Sequence, residues 1–137
     1  GTGAALALMD LDAFKSLNDR FGHPAGDTVL CSLAALLRRR IRQSDLLGRL
    51  GGDQFGAIIE NIGEKQVVRL LERIREEFAN TEQIATDGTR FGASFSAGVA
   101  LLEHGIDLDL WRERANAALQ AAKSRGRNRV AAAAESA

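Results

Sequence analysis

Residues 46–59 read LLGRLGGDQFGAII, two short apolar runs that flank the pair Gly51-Gly52. A pair of glycines between two runs of strand length predicts a β-hairpin, because both glycines can adopt positive φ angles. The strands of a hairpin are antiparallel, so the sheet that contains them is at least partly antiparallel. This stretch therefore favours an α+β fold over a doubly wound parallel sheet.

The segments on either side of the hairpin alternate between apolar runs of strand length and helical periodicity. Gly22 and Pro24 are expected to end the first helix. The predicted order is β-α-α-β-β-α-β-α-β, which indicates a single mixed or antiparallel sheet with helices packed on it, related to the ferredoxin-like split βαβ arrangement. The predicted strands are 4–9, 46–50, 54–59, 91–102 and 129–132, and the predicted helices are 14–21, 26–42, 67–78 and 108–123.

Composition excludes several classes of function. The 137 residues include 18 Lys and Arg and 18 Asp and Glu, so the net charge is zero and a generally basic nucleic-acid-binding protein is excluded. The single cysteine, Cys31, excludes an internal disulfide, and its place on the apolar face of a helix predicts that it is in the core. No apolar run reaches the roughly 18 residues needed to cross a membrane. We expect one domain, in which residues 1–3 are a cloning remnant or the cut end of a longer protein.

Carboxylates follow two of the predicted strands. Asp10 and Asp12 come after the first strand, and Asp53 comes after the glycine pair. If the first strand lies beside the hairpin, Asp10 and Asp53 converge and repel each other unless a cation lies between them. Oxygen ligands of this kind suit Mg²⁺. On spacing alone, solvated turn residues are the favoured interpretation, and Asp12 is expected only to order the loop through hydrogen bonds.

Five motifs, taken together and in order, carry a resemblance. They are DLDAFKSLND at 10–19, FGHPAGD at 21–27, RLGGDQF at 49–55, SAGVA at 96–100, and AK at 122–123 followed by GRNRV at 126–130. This set resembles the GGDEF domain family, the bacterial diguanylate cyclases, over nearly the whole chain. The resemblance implies a nucleotide-cyclase-like fold with a ferredoxin-like palm, and an activity that condenses two GTP into cyclic di-GMP and two pyrophosphates.

The resemblance also implies roles for individual residues. In an active member, two Mg²⁺ ions would be held in each active site. The implied roles are Mg²⁺ binding by Asp10, Asp53 and the Leu11 carbonyl, guanine recognition by Asn18 and Asp27, phosphate binding by Lys15, Lys123 and Arg127, close backbone approach at Gly51 and Gly52, and catalysis by Asp53 together with residue 54. Two alternatives stay open: Asn18 could cap a helix end, and Lys123 and Arg127 could form a solvated basic helix end.

Position 54 departs from the family pattern, which has glutamate there. Gln54 makes the motif a degenerate GGDQF, with an uncharged amide in place of a carboxylate. We expect cyclase activity to be weak or lost, and the number of bound Mg²⁺ ions to fall to one or none. The alternative is an active, product-inhibited diguanylate cyclase that tolerates Gln54.

A second motif lies just upstream of the hairpin. Arg42 and Asp45 form an RxxD pattern that resembles the family's product-inhibition site, and Arg73 stands where the family often supplies another arginine. Arginine can pair with guanine or phosphate, which predicts a cyclic di-GMP site that does not depend on Gln54. The alternative is that the pair closes a helix end and caps a turn.

The implied partners follow from the family's reaction. Each domain would bind one GTP, so catalysis needs a homodimer that forms at least transiently. We expect GTP and cyclic di-GMP as ligands, and no nucleic acid or membrane as a partner of this fragment. The fragment is expected to be excised from a larger bacterial, cytoplasmic protein with a sensory domain upstream. A nucleotide-free dimerisation or regulatory module is the alternative from another class.

Overall fold

The computed structural model describes residues 3–42, 45–103 and 105–133, and within them a five-stranded sheet carries helices on both faces. A separate pair of two-residue strands lies outside this sheet. In chain order the elements are β1 Ala4–Leu11, α1 Phe14–Phe21, α2 His23–Arg40, β2 Leu46–Gly51, β3 Gln54–Glu60, α3 Glu64–Ala79, β4 Gln83–Ile84, β5 Arg90–Phe91, β6 Phe95–Leu101, α4 Leu108–Ser124 and β7 Val130–Ala132.

The main sheet is mixed. Its strand order is β2-β3-β1-β6-β7. Neighbouring strands are antiparallel from β2 to β6, whereas β7 is parallel to β6. Strands β1, β2, β3 and β6 and the helices between them follow the β-α-β-β-α-β order of ferredoxin-like folds. The α+β fold predicted from the hairpin is confirmed.

The hairpin lies where the glycine pair predicts it, but the conformational reason expected for the glycines is wrong. Gly51 pairs with Gln54, so Gly52 and Asp53 form a two-residue turn. Neither glycine has a positive φ angle. A register shift in the strand pairing, between Arg49 and Gly51, precedes the turn. The Arg49 Nε donates to the carbonyl oxygens of Gly51 and Gly52 at 3.1 Å each.

Two element boundaries differ from the prediction. Helix α2 begins at His23, so Pro24 lies in its first turn, where a fixed φ and a missing N–H are tolerated, rather than ending α1. The predicted strand 91–102 is two strands, because β5 pairs with β4 and β6 begins only at Phe95. Strands of two residues are too short to show a period-2 pattern.

Cys31 is exposed, so its predicted place in the core is wrong. It faces an open cleft between α2 and β2, lined also by Arg38 and Leu47. The apolar periodicity of α2 is still real, since Val29, Leu33 and other residues on the opposite side of this helix are buried.

The packing of α4 positions one end of the sheet. Leu8 and Ala100 of the sheet pack with Trp111 and Leu119 of α4, and the Trp111 Nε1 donates to the Ala100 carbonyl at 2.7 Å. At Gly98 on β6, an added Cβ would lie 2.1 Å from the Leu119 backbone nitrogen, so only glycine lets α4 lie this close. The last turn of α4 consequently reaches the end of β1. None of the helices in the described part of the chain is long and apolar enough to cross a membrane.

Candidate active site

Three strands bring the predicted acidic residues to one end of the sheet. Asp10 of β1 is in register with Gln54 of β3 on one side and with Ser96 of β6 on the other. The Leu11 N–H donates to the Asp53 carbonyl oxygen at 3.1 Å, which fastens the hairpin turn to the end of β1. Asp10, Leu11, Asp53 and Gln54 therefore lie together, although they come from parts of the chain about 40 residues apart.

The carboxylate of Asp10 has a donor on each oxygen. Asp10 is only 8% exposed. Its Oδ1 accepts from Gln54 Nε2 at 2.9 Å, and its Oδ2 accepts from the ammonium group of Lys123. A glutamate at position 54 has no N–H to donate and would repel this carboxylate. The amide of Gln54 thus supplies to Asp10 a contact that a carboxylate at the same position cannot make.

An unpaired side-chain oxygen lies between α1 and α2. Asn18 Oδ1 is the one buried side-chain nitrogen or oxygen without a hydrogen-bond partner in the described part of the chain. Gly26 makes room for it, because an added Cβ would lie 1.8 Å from this oxygen. The side chain does not cap α1, since the Gly22 N–H bonds to the Asn18 backbone oxygen. A buried carbonyl without a donor costs about 1–3 kcal/mol, so its presence points to a ligand that donates to it. Asp27, beside Gly26, is exposed.

The predicted phosphate-binding residues lie on two helix ends. Lys15 is exposed on α1. Helix α4 ends in a Schellman motif, in which the N–H groups of Gly126 and Arg127 bond to the carbonyls of Lys123 and Ala122 at 3.3 and 3.0 Å. This motif turns the chain sharply after Lys123 and leaves Arg127 exposed. The Lys123 ammonium contacts Asp10 and has two further N–H donors.

The two described residues of the RxxD motif bond to each other, and Asp45 also bonds to β3. Arg42 Nε donates to Asp45 Oδ2 at 3.0 Å, and Asp45 Oδ1 accepts the Glu60 backbone N–H at 3.1 Å. The side chain of Asp45 is 1% exposed, whereas that of Arg42 is 52% exposed. Arg73 is exposed on α3. The two residues within the motif, 43 and 44, lie outside the described residues.

An ion pair joins α2 to α3 near this motif. Arg40 Nε and one of its terminal nitrogens donate to the two carboxylate oxygens of Glu77 at 3.0 Å each. The hydrogen bond from Arg40 lowers the pKa of Glu77, and the same bond raises the pKa of Arg40. The pair is exposed, so solvent screens it.

Asp12 has a larger part in the structure than its sequence context indicates. Its carboxylate accepts from the hydroxyls of Ser94 and Ser96 at 2.7 and 2.6 Å and from the Asn128 N–H at 3.0 Å. The expectation that Asp12 orders its loop by hydrogen bonds is confirmed. Its partners are 82 to 116 residues away, so no local pattern could have named them.

Comparison with known proteins identifies the class to which this fold and site belong. The sequence pattern of the family described as "Diguanylate cyclase, GGDEF domain" matches residues 1–129. The chain therefore belongs to the GGDEF domain family of diguanylate cyclases, as its motifs predict.

Two proteins of Escherichia coli K12 show the extent of the likeness. Diguanylate cyclase DosC is 35% identical over 130 residues, which are 95% of this chain and 28% of DosC. The probable diguanylate cyclase DgcT is 35% identical over 134 residues, 94% of this chain and 29% of that protein. The chain thus spans less than a third of the length of these relatives.

Solved structures resemble the fold closely. The GGDEF domain of DgcB from Caulobacter crescentus, in complex with c-di-GMP, superposes with a TM-score of 0.93 at 35% identity, covering 97% of this chain and 79% of that one. The active GGEEF domain of a diguanylate cyclase from Vibrio cholerae superposes with a TM-score of 0.89 at 36% identity, covering 98% and 85%.

Diguanylate cyclases of this family use Mg²⁺. Asp10 and Asp53 supply the oxygen ligands that Mg²⁺ prefers. Among the described residues, however, no group of three or more His, Cys, Asp or Glu side chains is arranged to hold a metal. Both oxygens of Asp10 also carry donors from the chain.

Proposed function

We propose that this GGDEF domain binds GTP and cyclic di-GMP in cyclic di-GMP signalling and that its cyclase activity is weak or lost through Gln54. The observation that carries the proposal is the 2.9 Å hydrogen bond from the Gln54 amide to Asp10. The chain's share of its relatives' length supports its being one domain, residues 1–137, of a larger protein.

Recognition of guanine rests on Asn18 and Asp27. The unpaired Asn18 oxygen would accept the guanine amino group, and the exposed Asp27 carboxylate would accept from the N1–H and N2–H₂ edge. Adenine presents no such pair of donors, so binding it would leave these acceptors unpaired. GTP is therefore favoured over ATP.

The phosphates would lie over the hairpin turn. A Cβ added at Gly51 or Gly52 meets nothing within 4 Å, and neither residue has a positive φ angle, so the chain's own packing does not require glycine there. A bare backbone leaves room for a phosphate instead. Lys15, Lys123 and Arg127 would supply the opposing positive charge.

Turnover fails at Gln54 for two reasons. The amide carries no negative charge to offset Mg²⁺ and cannot accept a proton, and the loss of a general base costs about 10²–10⁴ in rate. The amide also holds Asp10 Oδ1, which Asp10 would otherwise offer to the ion. When bound by Asp10 and Asp53, Mg²⁺ neutralises triphosphate charge and activates the attacking 3′-hydroxyl.

The test compares three forms of the domain incubated with GTP and Mg²⁺, with cyclic di-GMP measured by chromatography. The wild type is expected to form little product, and Gln54→Glu to raise the rate by about 10²–10⁴. Gln54→Ala removes the contact with Asp10 without adding charge and should stay inactive. A wild type as fast as Gln54→Glu would contradict the proposal.

Cyclic di-GMP would bind at Arg42, Asp45 and Arg73. Half of the Arg42 side chain is exposed although Asp45 already anchors it, so it can still meet a guanine or phosphate. Calorimetry should detect binding that Arg42→Ala abolishes and that Arg38→Ala, at an exposed arginine outside the motif, leaves intact. Binding that survives Arg42→Ala would contradict this assignment.

A homodimer, at least transient, is required for any turnover because each domain would hold one GTP. Sedimentation of the domain with and without cyclic di-GMP should show ligand-dependent association. If the domain binds neither nucleotide, the nucleotide-free dimerisation module is favoured instead.

A further inference from the structure

The turn between α4 and β7 has an unusual backbone. Gly126, Arg127 and Asn128 have φ angles of 120°, 63° and 49°, three left-handed residues in succession. For most residues other than glycine and asparagine this conformation costs about 1–2 kcal/mol. Arg127 therefore keeps it only where surrounding groups hold the turn.

Two of those groups reach Asn128 from opposite sides. The Asn128 N–H donates to Asp12 Oδ2 at 3.0 Å, and its side-chain Oδ1 accepts from a terminal nitrogen of Arg75 at 3.0 Å. Asp12 follows β1, and Arg75 belongs to α3. The residue next to Arg127 is thus clamped between an end of the sheet and a helix.

A third contact holds the chain just beyond the turn. Glu72 Oε1 accepts the Val130 N–H at 2.8 Å, and Glu72 Oε2 accepts from Arg75 Nε at 2.9 Å. Arg75 is only 15% exposed, so this bond fixes the guanidinium that reaches Asn128. Asp12 is fixed in the same way by Ser94 and Ser96. Asp12 and Arg75, the two residues that hold Asn128, are thus each fixed by further hydrogen bonds.

We propose that Asp12, Glu72 and Arg75 are positioning residues that hold the 126–128 turn in its left-handed form and so keep Arg127 where the phosphates of the nucleotide bind. The inference rests on the proposed binding of GTP through Arg127. Asp12, Glu72 and Arg75 act on Arg127 through the backbone of the turn, and the affinity for GTP depends on them through that one side chain.

The test uses a pair of variants with equal charge. Asp12→Ala removes the acceptor for the Asn128 N–H, whereas Asp12→Asn keeps an amide oxygen in its place. Measured by calorimetry in Mg²⁺ buffer, GTP is expected to bind roughly tenfold more weakly to Asp12→Ala and within about twofold of wild type to Asp12→Asn. Thermal unfolding checks that each variant is folded. If Asp12→Ala is not, Asn128→Ala takes its place and tests the contact from Arg75, because it removes the side-chain oxygen that accepts from Arg75.

A double-mutant cycle separates positioning from general destabilisation. In an Arg127→Ala background, Asp12→Ala should weaken GTP binding no further, because the side chain it positions is absent. An equal loss in both backgrounds, or no loss in either, overturns the inference. If wild type binds GTP and Arg127→Ala has no effect, the inference is overturned while GTP binding stands. If wild type does not bind GTP at all, the proposed function is overturned as well.

Discussion

Asp10 and Asp45 are both buried carboxylates whose two oxygens accept hydrogen bonds from the same chain, but the donors differ. The donors to Asp10 are the side chains of Gln54 and Lys123. Asp45 accepts from the Arg42 side chain and also from the backbone N–H of Glu60. Side chains can rotate away when a ligand arrives, whereas a backbone N–H in β3 cannot leave without loss of the strand end.

A ligand can therefore displace the donors to Asp10, whereas the bonds to Asp45 hold the chain before β2 to the end of β3. The active-site end contains an acceptor that the chain does not use, the Asn18 Oδ1, which lies in the room that Gly26 leaves. At the RxxD end Asp45 is fully committed, and only Arg42 extends into solvent. We therefore expect substitutions around Asp10 to change ligand binding most, and substitution of Asp45 to change stability most.

The largest expected effect is that of Asp45→Ala on stability. It leaves the Glu60 N–H and the Arg42 guanidinium without their acceptor, and we expect the free energy of unfolding to fall by about 2–3 kcal/mol, since hydrogen bonds to a charged group are among the stronger ones. Urea denaturation measures the change. Asp45→Asn, which keeps one acceptor, should lose about half as much. A loss below about 0.5 kcal/mol would mean that the hydrogen bonds to Asp45 do not stabilise the fold more than those to Asp10.

The next largest effect is expected at the active-site end, on the stability of Gln54→Glu with and without Mg²⁺. Without Mg²⁺, Gln54→Glu places a second carboxylate beside Asp10 and removes a hydrogen bond, so unfolding should become easier by about 1–2 kcal/mol. Added Mg²⁺ should recover this loss in Gln54→Glu and change the stability of wild type little. Denaturation of both proteins in EDTA and in Mg²⁺ tests this. If wild type is stabilised by Mg²⁺ as strongly as the variant, the hydrogen bonds from Gln54 and Lys123 do not keep Asp10 from the ion.

Gly26→Ala should change affinity more than stability. The new Cβ would displace the Asn18 carboxamide, which lies 1.8 Å from its position. Alanine favours a helix over glycine by about 1 kcal/mol, which offsets the crowding. We expect GTP binding to weaken roughly tenfold, as calorimetry would show, with an unfolding free energy within about 1 kcal/mol of wild type. Gly48→Ala, where an added Cβ meets nothing within 4 Å, is the control.

The sequence predicts elements whose pattern is local and long, and it fails where tertiary contacts decide. Helix α1 has the predicted bounds, and the hairpin has the predicted place. The positive φ angles expected at Gly51 and Gly52 are wrong, and the bonds from Arg49 to the carbonyls of both glycines could not be read from a local pattern. Strands β4 and β5 were missed because two residues show no period.

The same limit applies to the candidate site. The register of β1 with β3 and the bond from the Leu11 N–H to the Asp53 carbonyl bring Asp10 and Asp53 to one end of the sheet, as the places of the two aspartates after predicted strands indicate. No spacing rule foretells that Gln54 and Lys123 both bond to Asp10, since the three residues lie 44 and 113 positions apart. The partners of Asp12 could not be predicted either, because they lie 82 to 116 positions away in the sequence.

The smallest expected effect is a pH dependence at the exposed pair that joins α2 to α3. Because the hydrogen bond from Arg40 lowers the pKa of Glu77 below its ordinary value of 4.5, the folded protein protonates Glu77 at lower pH than the unfolded chain does. The pair's contribution is thus fully present above pH 4.5 and is lost as the pH falls through the lowered pKa. The urea midpoint of Glu77→Gln should lie slightly below that of wild type at pH 7, and the difference should shrink below pH 4.5. Glu113→Gln, at an exposed position on α4, serves as the control. A gap between wild type and Glu77→Gln that widens in acid would mean that the carboxylate is not the charged partner of Arg40.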